Sequence, residues 1–365
     1  MFALLNIVNR NQTVKNILVV ASGTAGAQLI AMASTPFVTR LYGPDALGIL
    51  GSFLAILAIL TPIGSFSFPI AIVLPKENKI AVKLAHLSFK IAIFVCILLT
   101  LIIVFFKHPI LTLSQLTVLS DYLIFLPLAL LLTVLTAISN QWVIRHKLFK
   151  LNSKVIIFTA FFTSAIKIFL GLYFPYGETL IGITLLILLL NFLIIYFVLR
   201  CSGPDEMRVP IGISHDFSLI KKYQQFALYR TPQSIIASMN QNIPVVLIAS
   251  YFGMAGAGFY ALTRTVLFVP VNLIAKSVAD VLYPKLNDKS INQESITPII
   301  QKSTLALVAI GSFPLGIMLL YGPELFAFVF GEKWLKAGEY AKWLSILFFF
   351  NFINRPSVAA IPILK

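Results

Sequence analysis

Charged residues are scarce in this sequence. Asp, Glu, Lys and Arg make up 11% of the 365 residues, hydrophobic residues make up 59%, and the mean hydropathy is +0.93. A soluble domain averages about 25% charged and about 45–50% apolar residues. A chain this poor in charge cannot present an ordinary water-exposed surface. The composition therefore excludes a soluble enzyme or binding module and predicts an integral membrane protein.

Cysteine is also scarce, and the histidines lack the spacing of metal ligands. The two cysteines, Cys96 and Cys201, are too few for a disulfide framework and do not form a CxxC site. No HExxH pattern or paired spacing connects the four histidines, which are His86, His108, His146 and His215. The sequence therefore predicts no metal site and no cofactor.

Acidic residues number only 13, and most of them fall singly in predicted loops. On the side opposite the basic loops, no close acidic pair is available for acid–base catalysis. A glycine-rich phosphate loop, a nucleophile elbow and an attached ATP-binding domain are missing as well. We therefore expect a protein that is not an enzyme.

Long apolar runs are abundant. They recur along the whole chain, each roughly 18–25 residues long, which suffices to cross a hydrocarbon core of about 30 Å at 1.5 Å per residue. This pattern predicts an all-α integral membrane protein with about ten transmembrane helices. The predicted spans are 15–38, 47–71, 84–106, 122–144, 155–174, 178–200, 226–251, 256–283, 301–322 and 340–363.

Basic residues are unevenly divided between the two sets of predicted loops. One face has sixteen, and the other has only Arg40, Lys107, Lys333 and Lys336. Because Lys and Arg near a span stay on the cytoplasmic side, an even number of spans places both termini in the cytoplasm. The sixteen are Arg10, Lys15, Lys76, Lys79, Lys83, Arg145, Lys147, Lys150, Lys154, Arg200, Arg208, Lys221, Lys222, Lys285, Lys289 and Lys302.

The same asymmetry explains the formal net charge of +15. No basic stretch is interleaved with aromatic residues in the manner of nucleic-acid-binding segments. Membrane lipids, rather than nucleic acid, are therefore the expected partners of these loop cations.

An internal repeat with a spacing of roughly 210 residues is visible in the sequence. Tyr42-Gly43 is matched by Phe252-Gly253, and each stretch continues to a mid-span proline and then to a Pro-Lys pair. The repeat predicts two helical bundles of parallel topology, as in transporters whose halves are related by an axis along the membrane normal. We assign residues 1–200 to a six-helix N-terminal bundle, 201–225 to a cytoplasmic linker and 226–365 to a C-terminal bundle of about four helices.

Charged and polar residues inside the spans are the candidate functional residues, because a mid-span charge costs about 2.5–3.5 kcal/mol even on lenient scales. A water-filled cavity that attracts an anionic substrate would account for them. For Arg230 and Lys276, as for Lys90, snorkelling to the headgroups is an equal alternative. The candidate substrate-binding residues are Lys167, Arg230, Gln233, Asn240, Gln241, Arg264, Lys276 and Arg355.

Two of these assignments have further alternatives. Asp280 lies four residues after Lys276, so the two share a helix face, and the acid is a candidate for ion coupling or for a charge pair with the lysine. The cluster Ser238, Asn240, Gln241 and Asn242 serves either substrate contact or hydrogen bonding between helices.

Several stretches together resemble the polysaccharide flippases. They are Thr39-Arg40-Leu41-Tyr42-Gly43-Pro44, the segment from Pro69 to Lys76, Leu228-Tyr229-Arg230-Thr231-Pro232-Gln233, and Phe259-Tyr260-Ala261-Leu262-Thr263-Arg264. That family, the O-antigen and capsule repeat-unit translocases, belongs to the multidrug/oligosaccharidyl-lipid/polysaccharide exporter superfamily.

The resemblance implies export of a polyprenyl-diphosphate-linked oligosaccharide across the bacterial cytoplasmic membrane. Two six-helix bundles would alternate in access around a cationic cavity, and the polysaccharide polymerase and ligase of the same pathway would be further partners. Family members usually have twelve or fourteen spans, whereas this sequence has about ten. We therefore expect the second bundle to be incomplete in the chain as given.

Two other functions compete with this interpretation. A multidrug or small-solute antiporter of the same superfamily would use acidic residues for ion coupling, and Asp280 is the one obvious mid-span acid. A membrane polysaccharide polymerase or glycosyltransferase would need a sizeable external loop with catalytic residues, and the predicted loops are short.

The topology can be tested with reporter fusions. A fusion after Lys154 should report a cytoplasmic location and one after Tyr176 a periplasmic location, because the first loop is basic and the second has no Lys or Arg. A pair of reporters that read the opposite way would overturn the orientation.

Overall fold

The structure is a computed structural model that describes residues 12–114, 119–202, 217–292 and 294–363. Within these ranges all regular structure is helical. A single π-helical turn, Phe226–Arg230, lies between the helix that ends at Gln225 and the helix that begins at Thr231, and it is called the wide turn below. The helices are α1 (Gln12–Leu41), α2 (Pro44–Ser65), α3 (Phe68–Ala71), α4 (Asn78–Ser114), α5 (Leu126–Arg145), α6 (Phe149–Gly171), α7 (Gly177–Ser202), α8 (Phe217–Gln225), α9 (Thr231–Ile291), α10 (Thr297–Phe330), α11 (Leu335–Ile353) and α12 (Arg355–Ala360).

Seven stretches of these helices are long and apolar enough to cross a membrane. Helices suit this environment because hydrocarbon offers no partners for backbone N–H and C=O groups, and a helix pairs them internally. The all-α integral membrane class is therefore confirmed, while the count of about ten spans stays a prediction. The seven stretches are Pro44–Ser65, Asn78–Phe105, Leu123–Arg145, Phe149–Gly171, Gly177–Arg200, Leu219–Asn272 and Thr297–Phe330.

Helix α9 is interrupted by a glycine. Its 61 residues would extend about 92 Å as one rod, roughly three times the thickness of a hydrocarbon core. Gly253 breaks the helix with φ 78° and ψ 176°, a conformation that glycine adopts without steric cost. The break falls between the predicted spans 226–251 and 256–283. The residue matched to it in the predicted repeat, Gly43, also separates two helices, although the repeat itself stays a prediction.

The described chain divides into two compact units. Unit 1 contains residues up to Ser34 together with Asp45–Ala257, and unit 2 contains Thr35–Pro44 and Gly258–Lys365. Residues 231–257, the first part of α9, therefore belong to unit 1. The assignment of 1–200 and 226–365 to two bundles stays a prediction, and most of the proposed linker, 203–216, lies outside the described residues.

In unit 1, small residues bring α1 and α6 together. A Cβ on Gly23 would lie 2.5 Å from the Cβ of Ser153, so no larger residue fits there. The Ser153 hydroxyl donates to the carbonyl of Val19 at 2.7 Å, and the hydroxyls of Ser34 and Ser164 lie 2.9 Å apart. Small and hydroxyl-bearing residues at a helix interface allow close approach in hydrocarbon, where apolar burial supplies little attraction.

Arg145, the last residue of α5, organises the connection between α3 and α4. Its Nη1 donates to the carbonyls of Ile72 at 3.0 Å and Pro75 at 2.6 Å, and Nε and Nη2 both donate to Oδ1 of Asn78. Burial, and secondarily the Arg145 cation, lower the pKa of the neighbouring His146. The guanidinium thus cross-links the connection, in addition to its predicted role in setting topology.

Unit 2 is built around Trp334, whose side chain is fully buried. Its Nε1 donates to the carbonyl of Thr39 at 2.9 Å, and its ring packs edge-on against Phe259 with centroids 5.8 Å apart. Nearby, Nη2 of Arg40 donates to the carbonyl of Phe328 at 3.1 Å. This carbonyl belongs to the last turn of α10, where the helix leaves its own acceptors unpaired.

Helices α10 and α11 meet at two glycines. A Cβ on Gly322 would lie 2.7 Å from the carbonyl oxygen of Gly338, and a Cβ on Gly338 would overlap the backbone of Gly322 and Pro323. Both obstacles are backbone atoms, which cannot rotate away as a flexible side chain could. The pairing of the two helices therefore requires glycine at both positions.

Gly338→Ala should destabilise unit 2 by about 1–3 kcal/mol, because the added methyl forces the helices apart. Thermal unfolding of the detergent-solubilised protein would show this as a lowered midpoint. Gly316→Ala is the matched control, since a Cβ at Gly316 of α10 meets no atom within 4 Å. Equal melting of the two variants would contradict the close approach.

Candidate functional site

A polar stripe begins at the residue before α9 and continues along one face of the first part of α9, in unit 1. It consists of Arg230, Gln233, Asn240 and Gln241, and all four residues are exposed. Offsets of 7 and 8 residues from Gln233 place the three amide side chains within about 100° of one another at 3.6 residues per turn. The guanidinium Nη1 of Arg230 donates to Oε1 of Gln233 at 3.2 Å. The structure thus brings four predicted site residues together on one face.

The other two members of the predicted polar cluster are engaged locally. Nδ2 of Asn242 donates to the carbonyl of Ser238 at 2.9 Å, within the same helix. This contact satisfies part of the Asn242 amide. Asn240 and Gln241 are therefore the members of the cluster that extend the stripe.

A second group of cations lies in unit 2, along the later part of α9. Arg264 and Arg355 are both half-buried. The guanidinium of Arg264 lies over the ring of Phe268, with its Cζ 5.7 Å from the ring centroid. Nη2 of Arg355, at the start of α12, donates to Oδ1 of Asn272 at 3.1 Å. Arg264, Phe268 and Asn272 are spaced four apart, so both arginines approach the same side of α9.

Asn272 is a functional candidate that the sequence interpretation missed. A signal was available, because a lone amide two helical turns beyond Arg264 in an apolar span needs a polar partner. That partner could not be identified as Arg355 from the sequence, since 83 residues separate the two.

Lys167 lies in α6 and is half-buried. One turn earlier, the Ser164 hydroxyl meets Ser34 of α1, so this part of α6 runs beside α1. Lys276 and Asp280 lie in α9, but their side chains fall outside the described part of the structure. Their predicted charge pair therefore stays a prediction.

The predicted residues fall into two groups rather than one described site. Lys167 and the polar stripe belong to unit 1, and Arg264 and Arg355 belong to unit 2. Their convergence on one cavity stays a prediction. Among the described residues, no cluster of His, Cys, Asp and Glu could hold a metal ion.

A groove of about 290 Å³ between α10 and α11 contains none of the predicted site residues. Its two serine hydroxyls, those of Ser312 and Ser345, donate to carbonyls of their own helices. The groove is therefore an apolar surface without a charged contact for an anionic ligand. It is lined by Ser312, Leu315, Gly316, Leu319, Ser345, Ile346 and Phe349.

These features define a multi-pass helical membrane protein with cations and amides within its apolar segments. Residues 37–339 match the family model described as "Polysaccharide biosynthesis protein". Because this stretch is most of the chain, the protein belongs to that family. The family-level resemblance predicted from the sequence is thereby confirmed.

Two curated relatives share a shorter stretch with the chain. "Lipopolysaccharide biosynthesis protein WzxC" of Escherichia coli (strain K12) is 29% identical over 125 residues, which are 34% of this chain and 25% of that protein. "Uncharacterized membrane protein in cps region" of Klebsiella pneumoniae is 30% identical over 118 residues, 32% of this chain and 24% of that protein. The matched stretch thus spans about a quarter of the length of each relative. No solved structure matches the chain.

Proposed function

We propose that this protein is a flippase that moves polyprenyl-diphosphate-linked oligosaccharide repeat units across the bacterial cytoplasmic membrane by alternating access. The observation that carries the proposal is the polar stripe of α9, in which Arg230 and three amides share one exposed face of an apolar segment. Membership in a polysaccharide biosynthesis family supports the choice of substrate.

The chemistry of the stripe suits such a substrate. Guanidinium groups bind the oxygens of phosphate groups through paired, charge-assisted hydrogen bonds. Side-chain amides both donate and accept hydrogen bonds, as sugar hydroxyls require. Arg230 would therefore bind the diphosphate, while Gln233, Asn240 and Gln241 would contact the first sugars.

The cations of unit 2 fit the same proposal. A charged side chain is costly in hydrocarbon. Arg264 lies over the ring of Phe268, and Arg355 donates to Asn272. Both partners are neutral, so they orient the arginines without neutralising the charge. An arginine oriented in this way keeps its positive charge available to an anion.

Transport of this kind forms and breaks no covalent bond in the substrate, so we infer a transporter rather than an enzyme. The N-terminus would be cytoplasmic, as the distribution of basic loop residues predicts. The polymerase and ligase that consume the exported repeat unit would be functional partners in the same membrane.

Substitution of the candidate cations tests the proposal in cells. Lys167→Ala, Arg264→Gln and Arg355→Gln should each lower export by roughly tenfold or more, because each removes a charge-assisted contact worth about 1.5–3 kcal/mol. The measurement is surface polysaccharide, normalised to membrane abundance, in a deletion strain complemented with the full-length protein.

Lys150→Gln is the control, since Lys150 is an exposed cation in the first turn of α6, at the end predicted to be cytoplasmic. Wild-type export by all three variants would indicate that these cations only snorkel to the headgroups. In proteoliposomes, the purified protein should translocate a labelled polyprenyl-diphosphate oligosaccharide. Failure to do so, combined with drug efflux, would favour the antiporter instead.

A further inference from the structure

Two residues at the junction of α2 and α3 have an unusual backbone conformation. Phe66 and Ser67 have φ values of 46° and 56°. For residues other than glycine this left-handed region costs about 1–2 kcal/mol each. Two consecutive residues of this kind persist only where surrounding contacts hold them.

One such contact joins the junction to the start of α9. The hydroxyl of Ser67 lies 3.1 Å from the hydroxyl of Thr231, and both residues are buried, at 6% and 3% exposure. The Thr231 hydroxyl also lies 3.1 Å from the carbonyl of Phe226. A carbonyl can only accept, and a hydroxyl has one proton. Both contacts are satisfied when Ser67 donates to Thr231 and Thr231 donates to Phe226.

The Phe226 carbonyl accepts a second hydrogen bond, from the backbone N–H of Thr231, five residues later. This backbone bond defines the wide turn Phe226–Arg230. The next residue, Pro232, has no N–H and cannot continue the normal hydrogen-bond ladder, which favours such a widened turn. Wide turns of this type occur frequently at functional sites in helices.

Arg230 is the last residue of this turn. One extra residue in a turn rotates the chain before it by about 100° relative to the helix after it. Arg230 belongs to this turn and precedes the regular helix that carries Gln233, so its orientation relative to Gln233 depends on whether the turn is wide. The Thr231 hydroxyl stabilises the wide form, and Ser67 orients that hydroxyl.

We propose that Ser67 and Thr231 are positioning residues for Arg230, and that their buried hydroxyl pair maintains the wide turn that directs the guanidinium along the polar stripe. The inference rests on the proposed function, in which Arg230 binds the substrate diphosphate. It also gives a role to the serine at this left-handed position, because glycine there would lack the hydroxyl.

Thr231→Val tests the role of the hydroxyl at nearly constant volume. In proteoliposomes the variant should raise the apparent KM for a labelled polyprenyl-diphosphate oligosaccharide by roughly fivefold, since one neutral hydrogen bond contributes about 1 kcal/mol. The maximal rate should change little. Thr231→Ser retains the hydroxyl and should restore the wild-type KM.

Two further variants separate this inference from general destabilisation. Thr133→Val is the matched control, because the Thr133 hydroxyl bonds to the Ala129 carbonyl of its own helix, at 2.7 Å. Ser67→Gly removes the second hydroxyl and relieves the backbone strain, so it should raise KM without lowering the melting temperature.

A double-mutant cycle distinguishes positioning from an independent structural role. If Thr231 acts through Arg230, Thr231→Val combined with Arg230→Gln should have the same KM as Arg230→Gln alone. Additive effects, or an unchanged KM in Thr231→Val, would overturn the inference while leaving the proposed function intact. An unchanged KM in Arg230→Gln itself would instead remove Arg230 from the proposed substrate site.

Discussion

The interior of a membrane offers no water for hydrogen bonding, and this constraint accounts for most of the structure. Backbone groups in hydrocarbon must find partners within the chain, so the described residues form helices. The same constraint applies to side chains. Within the predicted spans, Nη2 of Arg355 donates to Asn272, and the hydroxyls of Ser34 and Ser164 lie 2.9 Å apart.

Because apolar burial contributes little to helix association in lipid, close packing must do so instead. Glycine and serine provide it in both units: Gly23 with Ser153 in unit 1, and Gly322 with Gly338 in unit 2. Where helices can approach this closely, the positions of their polar groups are well determined.

The polar stripe differs from these structural contacts in its exposure. Arg145 contacts several acceptors, whereas Arg230 contacts Gln233 on the exposed face of its helix. An arginine oriented by a neutral amide keeps its charge available for an anionic ligand. The strained junction at Phe66 and Ser67 and the wide turn before Thr231 lie directly beside this arginine. Local strain next to a candidate binding residue is typical of sites where geometry matters for function.

The sequence by itself determined the membrane class, the helical architecture, the family and the identity of the candidate cations. The class, the helical architecture and the candidate cations follow from composition, from the length of apolar runs and from the rarity of charge in hydrocarbon, all of which are local properties of the chain. The family follows instead from the resemblance carried by four short stretches. The break at Gly253 was also predictable, because glycine there matches a turn signal in the first half of the sequence.

The partners of the cations and of the buried hydroxyls were decided only by the tertiary structure. Asn272 and Arg355, Arg145 and Pro75, and Ser67 and Thr231 are each separated by 70 or more residues along the chain. No periodicity connects such pairs, because helix packing brings them together and depends on side-chain volumes along entire interfaces. The wide turn could not be predicted from the sequence for a related reason. Pro232 favours an interruption of the helix, but the form of that interruption depends on the hydroxyl of Ser67, which comes from the distant junction of α2 and α3.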